Sequence, residues 1–294
     1  MLLTRSPNLN DVFQRPLGVR PPVGAADAQP RPLVQGNAVL KSVRPNLGVE
    51  VEYRRRLDRL IREMHDSILY WVRAAYRANE PRVAQDETPA AALAAVVGRL
   101  SRRWQDKFDE AAEGLATYFS TAAEERSSAT LRRVLRDGGW SVRFQMTRTM
   151  RDVLAATVNQ NVALIKSIPQ QYLSDVEGLV QRSVQSGRDL GKLTRDLERR
   201  YAVTRRRAAL IARDQNNKAT SAFNRVRQQD LGITEAVWMH SHAGEEPRPS
   251  HVRMDGKRYR VDEGMWDEDE GEYVWPGQLI NCRCTSRPVV PGFA

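Results

Sequence analysis

Four side chains near the C-terminal end are of the types that hold a borderline-soft metal ion: His242, His251, Cys282 and Cys284. Zinc takes nitrogen and thiolate donors in a tetrahedron, and two histidines with two cysteines complete one. Cys282 and Cys284 are the only cysteines of the chain, and three of its four histidines (His240, His242, His251) share the same stretch. His240 is the alternative donor where its ring, rather than that of His242, faces the sulfurs. The spacing is unorthodox, since zinc sites usually leave about two to four residues between paired cysteines. The competing reading is a pair of reduced thiols in a tight strand, with His251 in a structural hydrogen bond.

A hydrolytic reading stands beside the metal reading. His251, Asp255 and Asn281 superficially resemble a His-Asn metal nuclease site, but no histidine follows the asparagine and no general base sits beside a phosphate-binding helix. No catalytic residue is assigned, and an enzyme is not expected. The run Asp262-Glu263 and Asp267-Glu268-Asp269-Glu270 has the charge of a calcium loop without its alternating ligands, and reads as a solvated loop or a surface for a basic partner.

The elements that must position these residues follow from composition and periodicity. The 294 residues carry 41% hydrophobic and 28% charged side chains, with a mean hydropathy of −0.57. No apolar run approaches the ~20 residues that span a bilayer, and the first residues lack the apolar stretch of a secretory signal. A protein of a reducing cytosol, with no membrane contact, is the expectation.

Residues 1–48 hold seven of the fifteen prolines and read as an extended arm that orders against a partner. Residues 49–230 read as a mainly helical domain. Tyr53, Leu57, Leu60, Ile61, Met64, Ile68, Trp71, Val72, Ala75 and Tyr76 mark one face of a long helix that Asn79-Glu80-Pro81 ends. Thr88-Pro89 caps a second helix, with Leu93, Trp104, Phe108, Tyr118 and Phe119 on one side, and a shorter one around 129–136 stops at Asp137-Gly138-Gly139. Another spans about 145–167 and breaks at Pro169. Three more follow, over about 173–186, 189–201 and 204–229, the last capped by Thr204. Residues 231–294 read as a small α+β module with short strands at 235–240, 257–261 and 273–275. A module of this size has little core of its own and relies on a metal or a neighbouring domain.

Charge is unevenly placed. The net of +10 is concentrated in residues 181–230, with 13 basic against 5 acidic side chains, while residues 231–294 have 7 against 11. Arg195, Arg199, Arg200, Arg205, Arg206, Arg207 and Arg213 form a candidate footprint for DNA phosphates. Arg205 to Arg207 begin a helix and fan around its axis, which favours non-specific attraction, or ion pairs with a neighbouring subunit, over base readout, and the competing reading is a solvated arginine-rich face.

At this point the chain resembles the phage Mu F-like minor head proteins of the phage head morphogenesis family. Ile211-Ala212-Arg213-Asp214-Gln215, Lys218, Asn224 and Gly232 are similar to the helix that precedes the family's C-terminal module. The stretch after it matches more specifically, through Trp238, Arg248, His251, Asp255-Gly256, Pro276-Gly277 and Asn281-Cys282-Arg283-Cys284. Where many members carry Cys-x-x-Cys before the Asp-Gly turn, this chain has Arg248-Pro249-Ser250-His251, so a four-cysteine site is not available and a mixed His/Cys site remains. The resemblance implies a minor capsid protein made in the bacterial host cytoplasm and present in several copies in the virion. Its implied place is the portal vertex or the head interior, its implied partners the portal protein, the major capsid protein and double-stranded DNA. The alternative is a metal-dependent DNA-acting enzyme or toxin carried in the head.

Overall fold

In the computed structural model, the structure describes residues 37–290 apart from 79–88, 243 and 245. Four long helices form the body: α1 (Leu47–Ala78), α2 (Pro89–Asp137), α3 (Arg148–Gln185) and α4 (Leu190–Asp230). They share one apolar core. On α1, Tyr53, Leu57, Ile61, Met64, Ile68 and Val72 form its buried stripe, and Phe108, Phe119, Ile165, Tyr172, Leu197 and Phe223 face it from the other helices. Two residues expected on buried faces lie outside it. Trp71 sits edge-on to Tyr70 at the surface, and Tyr118 lies under the Arg56 guanidinium, 3.7 Å from the ring centre.

The helices are fewer and longer than the sequence suggests. The short helix around 129–136 is the end of α2, which runs 49 residues without interruption. Pro169 does not break α3; it lies inside the helix, buried with Ile165, Ile168 and Tyr172, so the packing of its apolar face outweighs the missing backbone donor. The boundary expected before Thr204 is likewise absent. Thr204 is not a cap: its hydroxyl donates to the Arg200 carbonyl one turn back, at 3.0 Å, within a continuous α4. The cap of α4 is Asp189, which accepts from Lys192 N at 2.8 Å.

Beyond Gly232 the chain forms β2 (Glu235–Met239), the short helix α5 (Pro249–Met254), β3 (Arg258–Arg260), β4 (Met265–Asp267), β5 (Glu272–Val274) and β6 (Thr285–Val290). β6 pairs antiparallel with β2, and β2 with β3, while β4 and β5 form a separate hairpin. The remaining edge of β6 is taken by β1 (Ala38–Val39), with Ala38 opposite Val290. The end of the proline-rich segment therefore packs within the chain itself. Leu40 and Val43 join Leu131, Val134, Leu135, Ile233 and Val290 in a small core that links α2 to the sheet. Residues 1–36, the Asn79-Glu80-Pro81 stop and the Thr88 cap lie outside the described residues.

Candidate metal centre

His251 comes from α5, a single turn opened by Pro249, whose fixed φ suits the first helical position. Cys282 and Cys284 come from the turn that leads into β6. That turn depends on two left-handed residues. Asn281 has φ of 59°, which asparagine tolerates better than most side chains, and Gly277 has φ of 84°. A Cβ on Gly277 would also meet Ser221 Cβ at 3.2 Å and the Cys284 carbonyl at 3.3 Å.

The turn is held from below by polar side chains of α4. Asp214 accepts from Asn281 N at 2.7 Å, Asn217 donates to the Cys282 carbonyl at 3.0 Å, and the Ser221 hydroxyl donates to the Pro276 carbonyl. From the other side Arg248 donates to the Ile280 carbonyl at 3.1 Å. A helix that exposes carboxylate, amide and hydroxyl groups along one stripe thus satisfies the backbone of a loop that has no ladder of its own.

The three candidate donors converge. His251 Nδ1 lies 3.4 Å from Cys282 Sγ and 3.6 Å from Cys284 Sγ, and all three atoms lie within 4.8 Å of one another. All three residues are buried, and the Trp238 ring packs edge-on against His251. The other ring nitrogen, Nε2, sits 3.3 Å from Asp267 Oδ2, outside hydrogen-bond geometry. Asp267 is fully buried and fixed by the Ser250 hydroxyl at 3.1 Å and by Asp269 N at 3.0 Å.

The sulfurs share their charge unequally. A hydrogen bond from Cys284 holds the Cys282 thiol far below its ordinary value, helped by His251 and opposed by burial. Cys284, which gives that bond and is itself buried, is pushed up, against the opposing pull of the Ser241 N–H and the Trp238 indole. The Gly277 N–H adds a donor to Cys282 Sγ at 3.3 Å. The pocket is thus suited to a buried thiolate.

His242 does not join this group. Its side chain is 71% exposed and its Nε2 lies 3.0 Å from Asp255 Oδ2, so the carboxylate at the Asp-Gly turn holds the ring away from the sulfurs. Asp255 also accepts from His240 N at 2.8 Å. His240 is nearer the sulfurs in electrostatic terms. Burial chiefly, then the His242 ring, lowers its pKa, while Asp255 and Cys282 act the other way. Its Nδ1 accepts the His242 N–H at 3.2 Å, which leaves Nε2 to carry the proton of a neutral ring. Neither histidine is a donor as the rings stand.

The acidic run contains the residue that sequence reasoning missed. Asp267 was expected in a solvated loop, but β4 ends on it and turns it inward behind His251, leaving Glu268 and Asp269 outside to meet Arg253. The arginine group is divided as well. Arg200 pairs with Asp175, Arg205 with Asp58 at 3.2 Å, Arg207 with the Ser167 hydroxyl at 2.8 Å, and Arg213 with Asn281 Oδ1 at 3.4 Å. Burial lowers the pKa of Arg207. Arg195, Arg199 and Arg206 remain exposed, Arg199 beside Asp196 at 2.8 Å.

Comparison with known proteins agrees with these motifs. A protein of Haemophilus influenzae, described as an uncharacterized protein, is 26% identical over 261 residues, which is 85% of this chain and 55% of the relative. The chain therefore spans about half the length of that relative. No solved structure matches. Residues 174–287 match the family described as Phage Mu protein F like protein. That span runs from α3 into β6 and includes α4, His251, Cys282 and Cys284, so this part of the chain is a Phage Mu F-like region.

Proposed function

We propose that the protein is a structural component of a tailed-phage head that works in head morphogenesis through docking surfaces rather than catalysis. The match of residues 174–287 to the Phage Mu F-like family carries this reading. The build of the molecule supports it. Leu47, Val51, Tyr70 and Trp71 leave apolar surface exposed on α1, suited to contact with neighbouring subunits. No described helix is long and apolar enough to cross a membrane. On this reading its partners are the portal protein and the major capsid protein, at the portal vertex or inside the head. Packaged DNA meets the exposed Arg195, Arg199 and Arg206.

The test is a phage that carries the gene, intact or deleted, with purified heads measured by quantitative mass spectrometry and electron microscopy. A few copies per head, and defective or unfilled heads on deletion, are expected. A chain missing from purified heads, with normal heads formed without it, would overturn the reading. Metal-dependent nicking of plasmid DNA by the full chain, lost in His251→Ala, would replace it with a DNA-acting enzyme carried in the head.

A further inference from the structure

The three-residue cluster has donor types and separations that suit a metal ion. Zinc bonds of about 2.0–2.3 Å put neighbouring donor atoms of a tetrahedron about 3.5 Å apart. The nitrogen–sulfur separations here are 3.4 and 3.6 Å, two edges of such a figure already in place. The donors arrive from two segments that share no secondary structure, α5 and the turn before β6. Each is held by contacts that do not involve the other donors.

The surroundings point the same way. Asp267, fully buried, lies behind the nitrogen of His251 that faces away from the sulfurs. A carboxylate there orients a metal-bound imidazole and strengthens it as a donor. The carboxylate accepts from the Ser250 hydroxyl and Asp269 N, and its Oδ2 lies 3.3 Å from His251 Nε2. A fully buried carboxylate behind the ring is costly unless positive charge enters the site. The buried indole of Trp238 faces Cys284, where a metal-held thiolate would accept its N–H.

We propose that His251 Nδ1, Cys282 Sγ and Cys284 Sγ bind one zinc ion that closes the C-terminal module, with Asp267 as positioning residue. His242 is not a ligand; it belongs to the exposed pair with Asp255. The fourth position is filled by a light atom, water or a His240 ring that has turned. The ion bridges α5 to the turn before β6, in a module whose apolar core is a handful of residues around Trp238. It contributes shape, and this role is independent of the head-protein reading.

The full chain, purified without chelator, tests this by metal analysis and by cobalt substitution. About one zinc per chain is expected. Cobalt should give the intense visible bands of a tetrahedral site and a sulfur-to-metal charge-transfer band. Cys282→Ser, Cys284→Ser and His251→Ala should each lose these signals, while His242→Ala keeps them. Because a ligand variant can misfold, His251→Cys serves as the rescue, with cobalt bands returning at longer wavelength. Asp267→Asn should retain the spectrum with affinity lowered about 10–100-fold. A chain that takes up neither zinc nor cobalt overturns the proposal, as does an unchanged cobalt spectrum in a folded His251→Ala variant.

Discussion

Asn217 of α4 donates its side-chain amide to the carbonyl of Cys282 at 3.0 Å, across 65 residues of sequence. The bond is buried and, with those of Asp214 and Ser221, ties the cysteine turn to the polar stripe of α4. It also fixes the peptide unit next to a candidate ligand without touching the sulfur. Asn217→Ala leaves the carbonyl unpaired, which costs about 1–3 kcal/mol at a buried group. The expected result is a lower melting temperature and weaker retention of metal under chelator competition. If both match the parent, the helix does not support the turn.

Gly277 provides a separate test of the same turn. With φ of 84° and backbone carbonyls of Asn217 and Cys284 at 3.4 and 3.3 Å from a would-be Cβ, the position combines left-handed strain with crowding. Gly277→Ala costs about 1–2 kcal/mol from the backbone alone, plus whatever shift the neighbours make. Gly187→Ala, with φ of 92° and open space around it, isolates the backbone part. Thermal unfolding should rank Gly277→Ala well below Gly187→Ala; equal losses would show that crowding contributes nothing.

The helical face and the cysteine cluster were legible because their signals are local. Tyr53, Leu57, Ile61, Met64, Ile68 and Val72 repeat at three and four residues, and all are buried. Cys282 and Cys284 are rare residues that draw attention by type. Asp267 carried no such mark. It is one of five acidic residues between positions 267 and 272, and only the inward end of β4 selects it. The choice against His242 depends on the Asp255 carboxylate, set by a turn that residue types alone do not place. Pro169 and Thr204 misled for the opposite reason, since local breaking preferences yield to a continuous apolar face. Charge counting alone does not reveal that Arg200, Arg205, Arg207 and Arg213 have partners within the chain, because those partners lie far away in sequence.

A buried ion pair joins α2 to α4. Arg227 Nη2 lies 2.6 Å from Glu124 Oε1, with the Arg227 and Glu124 side chains 5% and 8% exposed, and Arg227 Nε donates to the Ser128 hydroxyl at 3.0 Å. Removing one partner strands a buried charge, so Arg227→Met or Glu124→Leu alone should cost about 3–5 kcal/mol. The double variant should recover most of that loss, because two apolar side chains of similar volume leave no charge uncompensated. Chemical denaturation of the four proteins completes the cycle. Additive losses in the double variant would show that the two residues act separately.

Burial of His65 is expected to make the body of the protein sensitive to acid. Its ring is stacked on Tyr201 at 4.2 Å between centroids, its Nδ1 lies 2.7 Å from the Tyr172 hydroxyl, and its Nε2 faces Glu198 at 3.4 Å. Burial lowers its pKa, and Glu198 offsets only part of that. The unfolded chain therefore takes up a proton near the ordinary imidazole value of about 6.5 that the folded chain still refuses. Stability from this group is complete above that value and is lost as pH falls below it, until the folded pKa is reached. Melting temperatures of the parent and of His65→Gln, measured from about pH 8 to pH 5, should converge as pH falls, because the variant has no imidazole to titrate. Parallel curves would assign the acid sensitivity to other groups, and a gap that widens toward low pH would mean that Glu198 outweighs burial.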